Sequence, residues 1–161
     1  MSKSKNPIPE GLHTITPHLT IKNAAQAIEF YKKAFGATEK SRFAGPNNTI
    51  MHASLRIGTS NFFLADEMPG MEDGTTSPAQ LGKTTVALNL YVEDSDKLFK
   101  QAISAGAKEV MPLTDQFWGD RYGVVKDPFG HVWAIATHIE DLTPQELEQR
   151  GRQAMSQMGH R

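Results

Sequence analysis

The chain has 161 residues, 17 basic and 18 acidic side chains, and no cysteine. This length predicts one domain, or two small halves sharing a core, that folds without a disulfide or a structural metal. The near-zero net charge argues against a nucleic-acid partner, because such proteins usually carry a basic surface. The missing cysteines exclude disulfide scaffolds, thiol nucleophiles and cysteine-type metal sites, so any metal must be held by His, Asp or Glu.

No segment of the sequence predicts export or a membrane span. The polar N-terminus lacks the apolar stretch of a signal peptide. No apolar run approaches the roughly 18 residues that cross a bilayer. The sequence therefore predicts a soluble, cytoplasmic protein without a membrane partner.

The first half of the chain predicts a strand, a helix and three further strands. A tail (residues 1–12) precedes this module (13–67), whose first strand begins at His18. The pattern then changes to a helical period over AAQAIEFYKKAF. Three runs with strand character follow: TEKSRFAG, IMHASLRIG and FFLADE.

The second half repeats this plan. His18 and Asn89 open equivalent strands 71 residues apart (89 − 18), and residues 84–138 again predict β-α-β-β-β. Residues 68–83 are rich in Gly, Pro, Ser and Thr, which predicts a linker without an element of its own. Asn89 thus marks the start of a second module.

Both helices carry signals at their ends. Asn23 and Asp94 stand where a side-chain oxygen can cap the first free amides of each helix. Gly36 and Gly106 stand where a left-handed residue commonly ends a helix. We expect all four residues to act in these roles.

The C-terminal segment (139–161) predicts a short helix. It contains the sequence TPQE at 143–146, a capping box with proline at the first helical position. We expect this helix to fray after Gly151.

These elements predict an α+β fold in which two βαβββ modules form a curved mixed sheet around a shared cup. Together the modules make a single domain over residues 13–138. One face of each sheet packs on its helix, and strand alternation directs the other side chains into the cup. A cup of mostly apolar side chains with a few polar groups suits a small organic molecule. The predicted cup residues are His18, Thr20, Phe63, Asn89, Tyr91, Ala134 and Ala136.

Four segments and the repeat itself resemble the vicinal oxygen chelate superfamily of glyoxalases, bleomycin-resistance proteins and extradiol dioxygenases. The segments are HLTIKNAAQAIEFYKKAFGA, MHASLRIGTSNFFLADE, LYVEDSDKLF and FWGDRYGVVKDPFGHVWAIATH. They look most like the PhnB-like branch. The resemblance implies the two-module fold, but the superfamily includes both metalloenzymes and proteins that sequester antibiotics, so function must be inferred from the site.

The resemblance also implies a divalent metal held by one ligand from each of four strands. In this sequence those positions are His18, Phe63, Asn89 and Ala134. Histidine is a good ligand and asparagine a poor one, whereas phenylalanine and alanine have no donor atom. We therefore expect no metal at the usual position and no cofactor.

A displaced metal site remains an alternative. His18 and His52 could hold Zn, Ni, Mn or Fe together with Glu67, or with Asp66 from the same strand end. Arg56 shares a strand face with His52 and weakens a cation site electrostatically. The purely structural interpretation is that His52 is a hydrogen-bonded histidine on its strand.

The segment 117–123 concentrates aromatic side chains around an arginine. Trp118 offers a stacking face and Arg121 can bind a carboxylate or phosphate through two hydrogen bonds. A purely structural interpretation has Gly119 supplying a positive φ while Asp120 or Asp127 pairs with Arg121. The complete predicted ligand-binding set is His18, Phe63, Asn89, Tyr91, Phe117, Trp118 and Arg121.

Three functions are compatible with these features. The leading hypothesis is a small-molecule-binding protein with little or no catalysis. The alternative is a metal-dependent isomerase, lyase or dioxygenase using His18 and His52. The third is a regulatory or scaffold dimer. We expect a homodimer in each case, with the cup closed either within one chain or between exchanged halves.

Overall fold

The computed structural model describes residues 5–70 and 74–158. They form two compact units, one of Met1–Thr84 with Pro128–Gly130 and the other of Thr85–Asp127 with His131–Arg161. The described residues form two four-stranded mixed sheets and four α-helices, which confirms the predicted α+β class and the two βαβββ modules. The shared cup stays a prediction.

The first module has strand order β1-β4-β3-β2, with β1 parallel to β4 and the other pairs antiparallel. Ile21 and Leu64 are fully buried on the helix side, against an aromatic face of α1 that includes Tyr31 and Phe35. The elements are β1 (His18–Ile21), α1 (Ala24–Phe35), β2 (Thr38–Ala44), β3 (Ile50–Ile57) and β4 (Ser60–Asp66).

The start of α1 differs from the prediction. Asn23 adopts a left-handed conformation (φ 67°), and its side chain makes no capping hydrogen bond. A side-chain cap needs an extended backbone at this position, which the tight connection from β1 does not allow. Instead, Asp66 at the end of β4 accepts from the amide of Ala24 at 2.7 Å and from the amide of Ile50 at 2.7 Å. The cap predicted at Asn23 is therefore wrong, and a distant carboxylate replaces it.

The linker contains a short helix that the sequence interpretation missed. This helix, α2 (Pro78–Leu81), is capped by the buried Ser77, whose hydroxyl accepts from the amide of Gln80 at 3.3 Å. Serine followed by proline is a standard helix start. The Gly, Pro, Ser and Thr content of residues 68–83 hid that local signal, and residues 71–73 lie outside the described part of the linker.

The second module repeats the topology with strand order β5-β8-β7-β6. Asp94 caps its helix by accepting from the amide of Lys97 at 2.9 Å. Gly106 ends that helix with φ 119° and Gly36 ends α1 with φ 65°, so these three terminal predictions are confirmed. The elements are β5 (Ala87–Tyr91), α3 (Ser95–Ala105), β6 (Lys108–Asp115), β7 (Asp120–Lys126) and β8 (Val132–His138).

The C-terminal helix, α4 (Pro144–Met158), begins as predicted but runs further. Thr143 and Glu146 form the capping box, with each side chain accepting from the other's amide at 3.3 and 2.8 Å. The predicted fraying after Gly151 is wrong, because that glycine lies inside the helix close to the ring of Phe117. Among the described residues, no helix is long and apolar enough to cross a membrane.

Candidate functional site

Three aromatic rings meet on the face of the first sheet opposite α1. His18 on β1 is the register partner of Phe63 on β4, and His52 comes from β3. The ring centroids of His18 lie 5.9 Å from His52 and 6.2 Å from Phe63, and those of His52 and Phe63 lie 4.7 Å apart. We call these residues the aromatic cluster. Strand alternation produces it, because the neighbouring Leu19 and Leu64 point to the buried face.

The histidines of the cluster have unused hydrogen-bonding capacity. Partial burial of the ring, and then the neighbouring His52, lower the pKa of His18. A neutral imidazole presents one donor and one acceptor on a flat ring. Within residues 5–70 and 74–158, neither His18 nor His52 has a side-chain hydrogen bond to protein. The cluster can therefore offer both flat apolar surface and polar atoms to a ligand.

A cavity of about 490 Å³ adjoins the aromatic cluster. Residues 9–12 form one wall, and the side-chain amide of Asn61 donates to the carbonyl of Gly11 and ties this wall to β4. The residues predicted to be an N-terminal tail thus contribute to the cavity. Its other lining residues include His52, Ser54, Arg56 and Phe63.

A different arrangement occupies the second module, where three side chains gather around the buried carboxylate of Asp120. The hydroxyl of Tyr91 donates to it at 2.8 Å, the indole of Trp118 at 3.1 Å, and the Nδ1 of His138 lies 2.8 Å away. The other ring nitrogen of His138 lies 3.0 Å from Asp141. The carboxylate of Asp120 is only 4% exposed, so these bonds satisfy a group that would be costly to bury alone.

The charges of this network reinforce each other. Hydrogen bonds that the ring of His138 donates to Asp120 and Asp141 raise the pKa of His138. Burial acts to raise the pKa of Asp120, but the bonds from His138, Tyr91 and Trp118 outweigh it and lower the pKa. The bond to Asp120 raises the pKa of Tyr91. The network therefore favours an imidazolium beside a carboxylate, with little polar capacity left for a ligand.

The guanidinium of Arg121 is held by two carboxylates. Its Nε and one terminal nitrogen donate to Asp96 on α3 at 2.6 and 2.8 Å, and the other terminal nitrogen donates to Asp115 on β6 at 2.8 Å. The pairing with Asp120 or Asp127 considered from the sequence does not occur. Asp127 instead accepts from the amide of His131 and the indole of Trp133, both at 2.9 Å, and so stabilises the turn between β7 and β8.

The remaining predicted residues also belong to the second module. Asn89 is exposed on β5, and Tyr91 is 66% exposed although its hydroxyl is bonded. Phe117 packs edge to face on Trp118 with ring centroids 5.1 Å apart. The predicted positive φ of Gly119 is confirmed at 92°, and an added Cβ would collide with the carbonyl of Glu140. The predicted ligand-binding set thus falls into two groups, one on each module.

Comparison with known proteins identifies the family. Residues 11–135 match the sequence profile of the Glyoxalase/Bleomycin resistance protein/Dioxygenase superfamily. The chain belongs to this superfamily. The match covers His18, His52 and Phe63 of the aromatic cluster, together with Tyr91, Trp118 and Asp120 of the second module. It ends within β8, before His138 and Asp141.

Individual proteins show the same likeness. The uncharacterized protein Rv0887c of Mycobacterium tuberculosis is 44% identical over 146 residues, which are 90% of this chain and 84% of that protein. The structure of the gene product At5g48480 of Arabidopsis thaliana has a TM-score of 0.61 at 27% identity, covering 78% of this chain and 98% of that one. TioX from Micromonospora sp. ML1 has a TM-score of 0.62 at 24% identity, covering 81% of this chain and 100% of that one, which shows the fold alone.

The metal position implied by the superfamily can be tested on the donor atoms present. In the first module His18 is paired with Phe63, and in the second Asn89 is paired with Ala134, which is fully buried. Two of these four side chains have no donor atom and one is a weak amide donor. This set of residues does not fit a divalent metal of the superfamily.

The displaced metal set is brought together only in part. His18 and His52 are neighbours, whereas Glu67 accepts from the amide of Ser77 at 2.8 Å and lines a separate polar cavity of about 550 Å³. Asp66 lines the same second cavity, and both its oxygens accept backbone amides. Across the described parts of the chain, no group of three or more His, Asp or Glu residues is placed to hold a metal.

Proposed function

We propose that this member of the superfamily binds a small organic molecule on the open face of its first module, without a metal at the superfamily's usual position. The observation that carries the proposal is Phe63, whose ring packs with His18 and His52 where a metalloenzyme would need a donor atom. Aromatic side chains bury large flat areas and select flat partners by stacking or edge contacts. The site is therefore suited to an aromatic ligand.

The neighbouring cavity supports the same proposal. Its volume of about 490 Å³ lies within the range of roughly 300–1,000 Å³ typical of small-molecule sites. Ser54 and Asn61 provide polar groups among apolar ones, which is the mixture that fixes a ligand's orientation.

Ligand-observed NMR with a library of aromatic fragments tests the proposal on protein kept in a chelator. We expect fragments to bind the wild type and to lose binding in Phe63→Ala and His52→Ala. His13→Ala is the matched control, because His13 is exposed and outside the cavity. Thermal unfolding of each variant establishes that it folds. Fragment binding that persists in Phe63→Ala, or that requires a divalent ion, would overturn the proposal.

One observation favours the second candidate, a divalent-metal isomerase, lyase or dioxygenase: the two cluster histidines are close enough to share an ion. Elemental analysis of protein purified without a histidine tag distinguishes the candidates. Stoichiometric Zn, Ni, Mn or Fe that is lost in His18→Ala would replace the leading proposal with this one. Metal-free protein that still binds fragments would support the leading proposal.

We also propose a homodimer and membership of the PhnB-like branch. The quoted motifs support the branch. Exposed apolar side chains on the first module support the dimer, among them Ile15 at 83% and Phe43 at 66% exposure. Light scattering that shows only a 17.8 kDa species at every concentration would overturn the dimer. The cytoplasmic location stays a prediction.

A further inference from the structure

We infer that the ligand of the aromatic cluster is an organic anion, an arylalkyl carboxylate whose ring lies on Phe63 and His52 and whose carboxylate binds Arg56. The inference rests on the proposed function and specifies its ligand class.

The register places Phe63 and Arg56 in neighbouring rows on one face of the sheet. Ser54 pairs with Phe63 across β3 and β4, and Arg56 pairs with Asn61. His52, Ser54 and Arg56 alternate with residues buried on the helix side, so all three share the open face. Phe63 and Arg56 are therefore two residues apart along the strands, which is roughly 7 Å between their backbone positions, and His52 lies on the other side of Phe63 from Arg56.

The two cations that line the cavity, Arg56 and Lys40, have unused hydrogen-bonding capacity. Arg56 donates from Nε to the carbonyl of Gly58 at 2.8 Å, and within residues 5–70 and 74–158 its two terminal nitrogens have no partner. The ammonium of Lys40, which lines the same cavity, also lacks one among these residues. Glu10 is the cavity's only described carboxylate, and it forms no ion pair with either cation. The cavity thus has two cations against one anion.

Other arginines of the chain are paired with carboxylates, in contrast to Arg56. Arg42 is paired with Glu39, Arg121 with Asp96 and Asp115, and Arg150 with Glu140; that is how the structure neutralises them. A guanidinium whose terminal nitrogens are free can bind a carboxylate through two parallel hydrogen bonds. Arg56 is therefore available for an incoming anion.

The spacing selects the ligand's length. Phe63 and Arg56 are two residues apart along the strands, roughly 7 Å at the backbone, and a flexible chain of about three methylene groups is the probe length chosen to join a ring at the first to a carboxylate at the second. The hydroxyls of Ser41 and Ser54 line the cavity between the two ends. 4-Phenylbutyrate has this length, and its primary amide is a neutral probe of the same shape.

Titration of both probes by protein-observed NMR tests the inference. We expect wild-type protein to bind the acid about tenfold more tightly than the amide, because hydrogen bonds to charged groups are the stronger ones. Arg56→Gln should remove this preference by weakening acid binding alone. Phe63→Ala should weaken both probes. Arg152→Gln, an exposed arginine on α4, is the matched control and should change neither.

The outcomes separate the two proposals. Equal binding of acid and amide by the wild type, both lost in Phe63→Ala, would overturn the anionic ligand and leave the proposed function standing. Binding of neither probe would overturn the arylalkyl carboxylate, and the fragment library then decides the proposed function. Binding unaffected by Phe63→Ala would overturn both. Raised salt that weakens the acid and not the amide would support the ion pair with Arg56.

Discussion

The first and second modules share a framework but use equivalent positions differently. Residues Ala24 and Asp66 are equivalent, with an offset of 71, to Ser95 and Thr137. In each module the last strand provides the oxygen that accepts the first amide of the helix, at 2.7 Å from Asp66 and 2.9 Å from Thr137. The position has the same role in both modules, although it provides a carboxylate oxygen in the first and a hydroxyl oxygen in the second. The comparison shows that this contact belongs to the architecture and not to one module's sequence.

The open faces of the two sheets differ more. His18 and Phe63 of the first module correspond to Asn89 and Ala134 of the second. In the first module, the rings of the aromatic cluster have no hydrogen bond to protein among the described residues. In the second module, most of the polar side chains are hydrogen-bonded around Asp120. This difference supports a division in which the first module binds the ligand and the second stabilises the fold.

Of the substitutions that test this difference between the modules, Tyr31→Ala should produce the largest loss in the free energy of unfolding. Tyr31 is fully buried and packs on Phe35 and Phe62, whereas the equivalent residue of the second module is Ala102. Removing a buried aromatic ring costs about 3–5 kcal/mol of unfolding free energy. Urea denaturation measures it, with Ile103→Ala on the outer side of α3 as the control. A loss below about 1 kcal/mol would mean that the α1 core is not more dependent on aromatic packing than the α3 core.

Replacing the two equivalent capping residues should give unequal losses. Asp66→Ala leaves two part-buried amides without their acceptor, which should cost about 2–4 kcal/mol. Thr137→Val removes one cap of a neutral kind and should cost about 1 kcal/mol. Thermal unfolding of both variants beside the wild type measures the difference. Equal losses would contradict the stronger role assigned to the carboxylate.

The smallest effect is a pH dependence confined to the second module. The pKa of His138 is raised by Asp120 and Asp141, so its contribution to stability is complete below the ordinary value of 6.5 and is lost as the pH rises through the folded-state pKa. His138→Gln should therefore lower the melting temperature at acidic pH more than above neutrality. His13→Gln is the control, since its ring meets no carboxylate among the described residues. A loss that does not change with pH would contradict the ionic role of His138.

Local sequence signals predicted most of the framework. Strand alternation and helical periodicity act over a few residues, so both modules and the turns at Gly36 and Gly106 could be inferred. The cap at Asn23 could not, because its replacement comes from Asp66 on a strand 42 residues beyond Ala24. Local sequence patterns extend over a few residues and cannot predict a contact between residues so far apart in the chain.

The site was predictable to the same extent. Alternation predicted that His18 and Phe63 share one sheet face but left open which face His52 occupies, and the structure brings all three rings together. The partners of Arg121 come from α3 and β6, and such pairings depend on tertiary packing. The sequence likewise could not predict that the terminal nitrogens of Arg56 lack a carboxylate partner, because this depends on which carboxylates the fold brings near them.

The shared capping contact also has a consequence for biosynthesis. In both modules the helix start and the oxygen that completes it are separated by 42 residues, with three strands to be made between them. A short helix on its own is only marginally stable in water, so neither helix gains its full stability until the last strand of its module has been translated and has closed that loop. We therefore expect each module to fold in one late step, the first as the ribosome releases Asp66 and the second as it releases Thr137.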